Sequence, residues 1–209
     1  MKVTVFGATG GVGSEVVRQA VAAGHEVVAV VRDPARLTVP AGPGLGVVTA
    51  DVMEPAQIGP AVKGAGAVVS ALGPRKGGPA TVLADGIRSI LTAMADTGVR
   101  RLVAVSASGA FIEPGDPFVT RVVVKPLLQR LLPDAMAGTR QMETEIWASS
   151  SDWTLMRPPQ LTNRPARRHY RRMIDHNVGR SIARADLADA ILAALADPAT
   201  IGHTVGVGY

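Results

Sequence analysis

The chain has 209 residues, a formal net charge of +5 and no cysteine; 47% of it is apolar and only 3% aromatic. That length suits one domain with a full core, and the missing cysteines exclude a disulfide framework or a thiol nucleophile. No apolar run is long enough to span a bilayer and the chain opens without a signal-peptide core, so a cytoplasmic protein without a membrane partner is expected, as monomer or homodimer.

The first element is the most informative. A short apolar strand at 2–6 runs into Gly7-Ala-Thr9-Gly10-Gly11-Val12-Gly13, and a helix at 11–23 follows, with Val12, Val16, Val17, Ala20 and Val21 at helical spacing before Gly24. Strand, glycine turn and helix is the arrangement that binds a dinucleotide pyrophosphate. Glycines permit a tight turn and close approach of phosphate, and the helix N-terminus offers free N–H groups. The spacing is G-x-x-G-x-x-G rather than G-x-G-x-x-G, so the flanking strand and helix carry the assignment.

Further strands are predicted near 27–31, 46–50, 67–72, 101–106, 153–157 and 203–207, and helices near 55–63, 79–97, 139–150 and 184–196. Aliphatic strands alternating with helices predict an α/β, Rossmann-like, doubly wound parallel sheet buried on both faces, in a single domain over 1–209. The less regular, proline-containing segments 111–138 and 158–183 are expected on the substrate side of the cleft, where loops leave the carboxyl ends of strands. The second strand ends in Val31-Arg32, about 20 residues past Gly13, where this fold reads the ribose. An acidic residue there would favour NAD. Arg32, with Arg36 a helical turn on, favours the 2′-phosphate of NADP, so NADP(H) is expected over NAD(H). Asp33 complicates the assignment, since it could pair with an arginine or contact a ribose hydroxyl. Ala71, Leu72 and Gly73, after the fourth strand, are expected beside the middle of the cofactor. The four histidines are scattered, so no metal site is expected.

Together these residues resemble the atypical short-chain dehydrogenase/reductases, and among them the NAD(P)H-binding, NmrA-like branch that includes flavin reductase (biliverdin reductase B). The markers are Gly7 to Gly13, Val31 to Arg36, Asp51-Val52, Ser70 to Gly73, Val105-Ser-Ala-Ser-Gly109, Asp152 to Pro159 and Arg184-Ala-Asp186. The resemblance implies that Asp51 and Val52 lie against the adenine; a strand-end Asp51 capping the next helix is the other reading. It implies that Lys125 approaches the cofactor's phosphate or ribose, against a plain surface lysine. It places Ser108 beside the substrate as a catalytic hydroxyl; a hydroxyl at Ser106 or Ser108 could bond the nicotinamide amide or a substrate carbonyl, while both could instead satisfy backbone groups at a strand end. Pro158 and Leu161 would wall the nicotinamide end. Arg157 is expected to pair with Glu143. Two departures stand out: Gln160 replaces a histidine found in some reductase relatives, and Ala183 replaces a serine that would cap the last helix.

Typical members of the superfamily use a Tyr-x-x-x-Lys pair as proton donor. Here Tyr170 is followed at +4 by Ile174, and Tyr209 is the last residue. Reduction would then rest on cofactor placement with a weaker or external proton source, which suits a flat acceptor such as a flavin or quinone. The alternative is a non-catalytic NADP(H) sensor of the NmrA-like type. Five arginines between 164 and 172 could touch nucleic acid, yet no reading element accompanies them, and nucleic acid is not the expected partner.

Overall fold

In chain order the elements are β1 (Lys2–Phe6), α1 (Gly11–Ala22), β2 (Glu26–Val31), β3 (Leu45–Thr49), α2 (Pro55–Val62), β4 (Ala67–Ser70), α3 (Val82–Thr97), β5 (Arg101–Val105), α4 (Lys125–Leu131), α5 (Pro133–Trp147), β6 (Asp152–Arg157), β7 (Gln160–Thr162), β8 (Arg171–Ile174), β9 (Ser181–Ala183), α6 (Arg184–Ala196) and β10 (His203–Gly208). They belong to a computed structural model that describes residues 1–73, 81–112, 116 and 118–209. The start expected for the third helix, at 79, falls outside the described residues.

Eight strands form one sheet in the order β3-β2-β1-β4-β5-β6-β10-β8. All pairs are parallel except β10 with β8, which runs antiparallel at the edge. The chain winds outward from β1 to β3, crosses back to β4, and winds the other way. The winding therefore reverses between β1 and β4, and a crevice opens there outside their carboxyl ends. The sheet is the doubly wound, Rossmann-like α/β architecture that the alternating pattern predicts.

Strand residues alternate between two cores, as a period of two requires. Val27, Ala29 and Val31 join Val3, Val5 and Met156 under α1 and α6. Val28 and Val30 join Phe6, Leu102 and Leu155 under α2, α3 and α5. Neither face of the central strands meets water, so these strands read as near-continuous apolar runs rather than alternating ones.

One buried polar tie fixes α5 on the sheet. Glu143 is fully buried. Its carboxylate accepts from Arg157 at the end of β6, through Nε at 3.0 Å and Nη2 at 2.5 Å, and from the Ser106 hydroxyl after β5. The Arg157 guanidinium also lies 3.9 Å from the Phe111 ring centre. Arg157 thus pairs with Glu143, as the sequence suggests, while the Ser106 hydroxyl bonds a carboxylate rather than a backbone group. Removing one side of a buried ion pair costs more than the pair contributes. Glu143→Ala is expected to lower unfolding stability by about 3 kcal/mol, and Glu143→Gln by less, read from urea midpoints at neutral pH. An Ala variant as stable as the parent would show that the tie is dispensable.

Candidate dinucleotide site

The glycine turn is built by close approach of backbones. Gly7 sits at φ +75°, and a Cβ there would lie 2.4 Å from the Ala71 carbonyl oxygen after β4. A Cβ on Gly13 would lie 2.2 Å from the Gly7 carbonyl oxygen. Any side chain at either position would push apart β1, β4 and the start of α1. The first backbone bond of α1 runs from Ser14 N–H to the Gly10 carbonyl at 2.9 Å. The N–H groups of Gly11, Val12 and Gly13 precede it and form the positive end of the helix.

Beyond this turn lies a cavity of about 780 Å³, within the size range of cofactor sites. Of the residues the sequence singles out, the structure gathers Gly7, Thr9, Gly10, Gly11, Val12, Arg32, Arg36, Val52, Ala71, Leu72, Gly73, Ser106 and Leu161 around it. At the β2 end, Arg32 and Arg36 are exposed and neither is ion-paired among the described residues. Asp33 is otherwise occupied: its carboxylate accepts from Ala35 N–H at 3.0 Å and caps the turn Pro34–Arg36. The residues present fit a dinucleotide, with a Cβ-free anion cradle in the middle and two cations at one end.

Five of the expected residues do not line the cavity. Gly13 lies beneath Gly7 as packing. Asp51 is exposed, and its side chain accepts from Met53 N–H at 3.1 Å, a local turn ahead of α2. Ser108 is buried in a short turn, where its N–H donates to the Pro158 carbonyl at 3.1 Å, and neither residue lines the cavity. Lys125 points inward, donating to Asp116 at 2.5 Å and to the Phe111 carbonyl at 2.6 Å. Asp116 also accepts from Asn177 at 3.0 Å, which joins the 111–138 segment to the 158–183 segment.

Sequence reasoning missed other lining residues. Ala135, Met136 and Thr139 come from the first turns of α5, which starts at Pro133, six residues before the predicted 139. Arg184, the first residue of α6, reaches across to the glycine turn. A Cβ on Gly11 would lie 2.7 Å from both Cδ and Nε of Arg184. Arg184 is positioned by Asn163, whose side-chain oxygen accepts from Nη1 at 2.6 Å. The available signal was an arginine at the start of a helix that follows a strand.

Asp186 works on the outer side of α6. Its carboxylate accepts from the N–H groups of Arg167 and Arg168, at 2.8 and 2.9 Å, and from the Tyr209 hydroxyl. The arginine-rich loop is therefore pinned by its backbone, while the Arg167 guanidinium stacks 4.3 Å from the Tyr209 ring centre. Tyr170 donates to Asp189 at 2.5 Å, so both tyrosine hydroxyls are engaged outside the cavity. Among the described residues no cluster of acids and histidines could hold a metal ion.

Comparison with known proteins agrees with this geometry. The model of the NAD(P)H-binding family matches residues 7–198. The chain belongs to that NAD(P)H-binding family, and its Rossmann-like α/β fold is shared with solved oxidoreductases. A short-chain dehydrogenase/reductase from Veillonella parvula, solved in complex with NADP, is 20% identical with a TM-score of 0.80, covering 100% of this chain and 94% of that one. The anaerobilin reductase ChuY from Escherichia coli O157:H7 is 21% identical with a TM-score of 0.80, covering 99% and 97%. The oxidoreductase ylbE from Lactococcus lactis is 19% identical with a TM-score of 0.81, covering 100% and 90%. Likeness at this level shows the shared fold.

The Asp186 anchor gives this side of the site a pH limit. Burial pushes its carboxyl up, but the bonds from Tyr209, Arg167 and Arg168 outweigh burial and hold it below the usual carboxylate range. Its contribution is therefore present above the ordinary value of about 3.9 and is lost as pH falls through the lowered one. Asp186→Asn is expected to cost about 1–3 kcal/mol at neutral pH. It should also flatten the acid side of the stability–pH curve, measured by urea unfolding between about pH 2 and 6. An unchanged acid limb would remove Asp186 from this role.

Proposed function

We propose that the protein is an NADP(H)-dependent reductase of a small flat acceptor such as a flavin or quinone. The observation that carries the reading is the pair Arg32 and Arg36, which line the cavity with no ion-pair partner among the described residues, while Asp33 turns away to cap its own turn. Two guanidinium groups in that position suit the 2′-phosphate that separates NADP from NAD. The NADP-bound neighbour supports the reading by analogy of fold.

In this reading the N–H groups of Gly11 and Val12, with Thr9, cradle the pyrophosphate, and Arg184 neutralises it from across the turn. Val52 packs at the adenine, and Ala71 to Gly73 let the middle of the dinucleotide lie close to the backbone. Leu161, Met136 and Thr139 shape the acceptor end, with segments 111–138 and 158–183 around it. Bound NADPH supplies a hydride equivalent to the acceptor. The protein's own residues set the approach of the two rings. Proton donation is left to solvent, because the Ser106 hydroxyl is held by Glu143 and Ser108 is buried and does not line the cavity. Quinones and flavins tolerate this, since their reduced forms need little acid assistance in the transition state.

The two sets of cations separate by ligand. Arg32→Ala/Arg36→Ala is expected to weaken NADPH binding by about 10–100-fold and leave NADH nearly unchanged. Arg184→Gln is expected to weaken both nucleotides alike, by about tenfold. Fluorescence titration with each nucleotide reads both effects, and equal losses from the two changes would undo the assignment of ends.

Turnover is tested by loss of absorbance at 340 nm with FMN, FAD or a benzoquinone. NADPH oxidation that depends on one of these acceptors establishes the reductase. Tight NADPH binding without oxidation of any acceptor favours a sensor. Ser108→Ala is expected to change kcat by less than about threefold, against the roughly 100-fold a true general acid supplies.

A further inference from the structure

The segment 118–132 reads Phe-Val-Thr-Arg-Val-Val-Val-Lys-Pro-Leu-Leu-Gln-Arg-Leu-Leu. It is helical as far as Leu131, with a wide turn at Thr120–Val124 continuing as α4. Its polarity is inverted. The one buried residue is Lys125, at 4% exposure, while Phe118, Val119, Val123, Leu127 and Leu131 are 54–73% exposed. Leu128 alone among its leucines turns toward the fold, where its Cδ2 would meet a Cβ on Gly109 at 2.6 Å. The apolar outer face therefore does nothing for the core. Single exposed apolar residues are ordinary, but a contiguous run of this kind marks a surface that is covered in use.

We infer that the outer face of 118–132 docks on an anionic lipid membrane. Charge selects this occupant. The segment carries three cations and no Asp or Glu. Lys125 is neutralised inside by Asp116, and Arg121 and Arg130 are exposed on the same stretch as the apolar residues. Phe, Val and Leu flanked by arginines is the composition of a helix that lies in the headgroup plane. A second copy of the chain fits less well. A two-fold contact presses the same patch against itself, bringing Arg121 and Arg130 of both copies together with no carboxylate from either segment. Among the described residues no helix is long and apolar enough to cross a membrane, and at about 1.5 Å per residue this one would span less than a bilayer core. It lies on the surface.

The docked face adjoins the site. α4 passes through Leu132 into α5, whose first turns place Ala135 and Met136 on the cavity wall. Joined to the reductase reading, on which this step rests, the placement favours an apolar acceptor dissolved in the bilayer.

The test is flotation of the full chain with phosphatidylcholine vesicles, with and without about one-third phosphatidylglycerol. The protein is expected to float with the anionic vesicles at least about tenfold more than with the neutral ones, less so at high salt. Leu127→Gln/Leu131→Gln is expected to stay in solution, with unchanged Tm and NADPH affinity. Arg121→Gln/Arg130→Gln is expected to lose the preference for anionic lipid. A wild-type chain that floats with neither vesicle overturns the inference, as does equal flotation of the Leu127→Gln/Leu131→Gln variant. A dimer in light scattering that this variant dissociates, without vesicle binding, assigns the face to a second copy instead. None of these readouts requires turnover, so failure of the reductase reading leaves them intact.

Discussion

The approach of two backbones at the ends of β1 and β4 is the constraint on which the site depends. Gly7 is held at φ +75° with the Ala71 carbonyl oxygen where its Cβ would stand. No L-residue satisfies both conditions, so the contact exists only because position 7 is glycine. From it follow the sharp turn off β1, the seating of Gly13 beneath the turn, and the aim of the α1 N-terminus into the crevice. The crevice itself comes from the reversal of winding between β1 and β4. Topology makes the space, and the missing Cβ atoms point the helix into it.

Much of this was legible because it is local. The strands of the central sheet announce themselves as aliphatic runs, and the glycine turn and Arg32 follow at offsets that the βαβ unit imposes. Other parts are decided by distant partners. β8, Arg171-Arg172-Met173-Ile174, is exposed at every residue and exists because β10 offers it an edge. β7 and β9 are three residues each and pair only with one another. Arg184 was visible only as part of a motif. Its reach to Gly11 depends on how α6 packs beside α1, which no local pattern records.

Buried charge shows the same limit from another side. Lys125 reads as ambiguous in one dimension, able to sit on a helix surface, and Glu143 reads there only as the partner of Arg157. The structure buries both, and in each case the partner decides. Arg157 and Ser106 converge on Glu143, and Asp116 and the Phe111 carbonyl converge on Lys125. Desolvating an ion is tolerated where several donors or acceptors meet it. The first knot clamps α5 to the ends of β5 and β6. The second holds the helical segment that carries the exposed valines and leucines. The Ser106 hydroxyl, at the edge of the cavity, is engaged by the Glu143 carboxylate.

That engagement and the inverted helix bear on one another. On the proposed reading, an acceptor end shaped by Leu161, Met136 and Thr139 would discriminate its substrate weakly, since an apolar pocket separates close analogues by only a few kcal/mol. Selectivity must then come from what reaches the cavity. On the proposed reading, a surface that sets the site beside lipid would perform that selection before binding, by partition. Lys125 connects the two roles: burying its ammonium group against Asp116 turns the neighbouring valines outward, so the charge removed from the surface leaves the apolar face exposed. The same residue that resembles a cofactor ligand in sequence serves here to orient a helix.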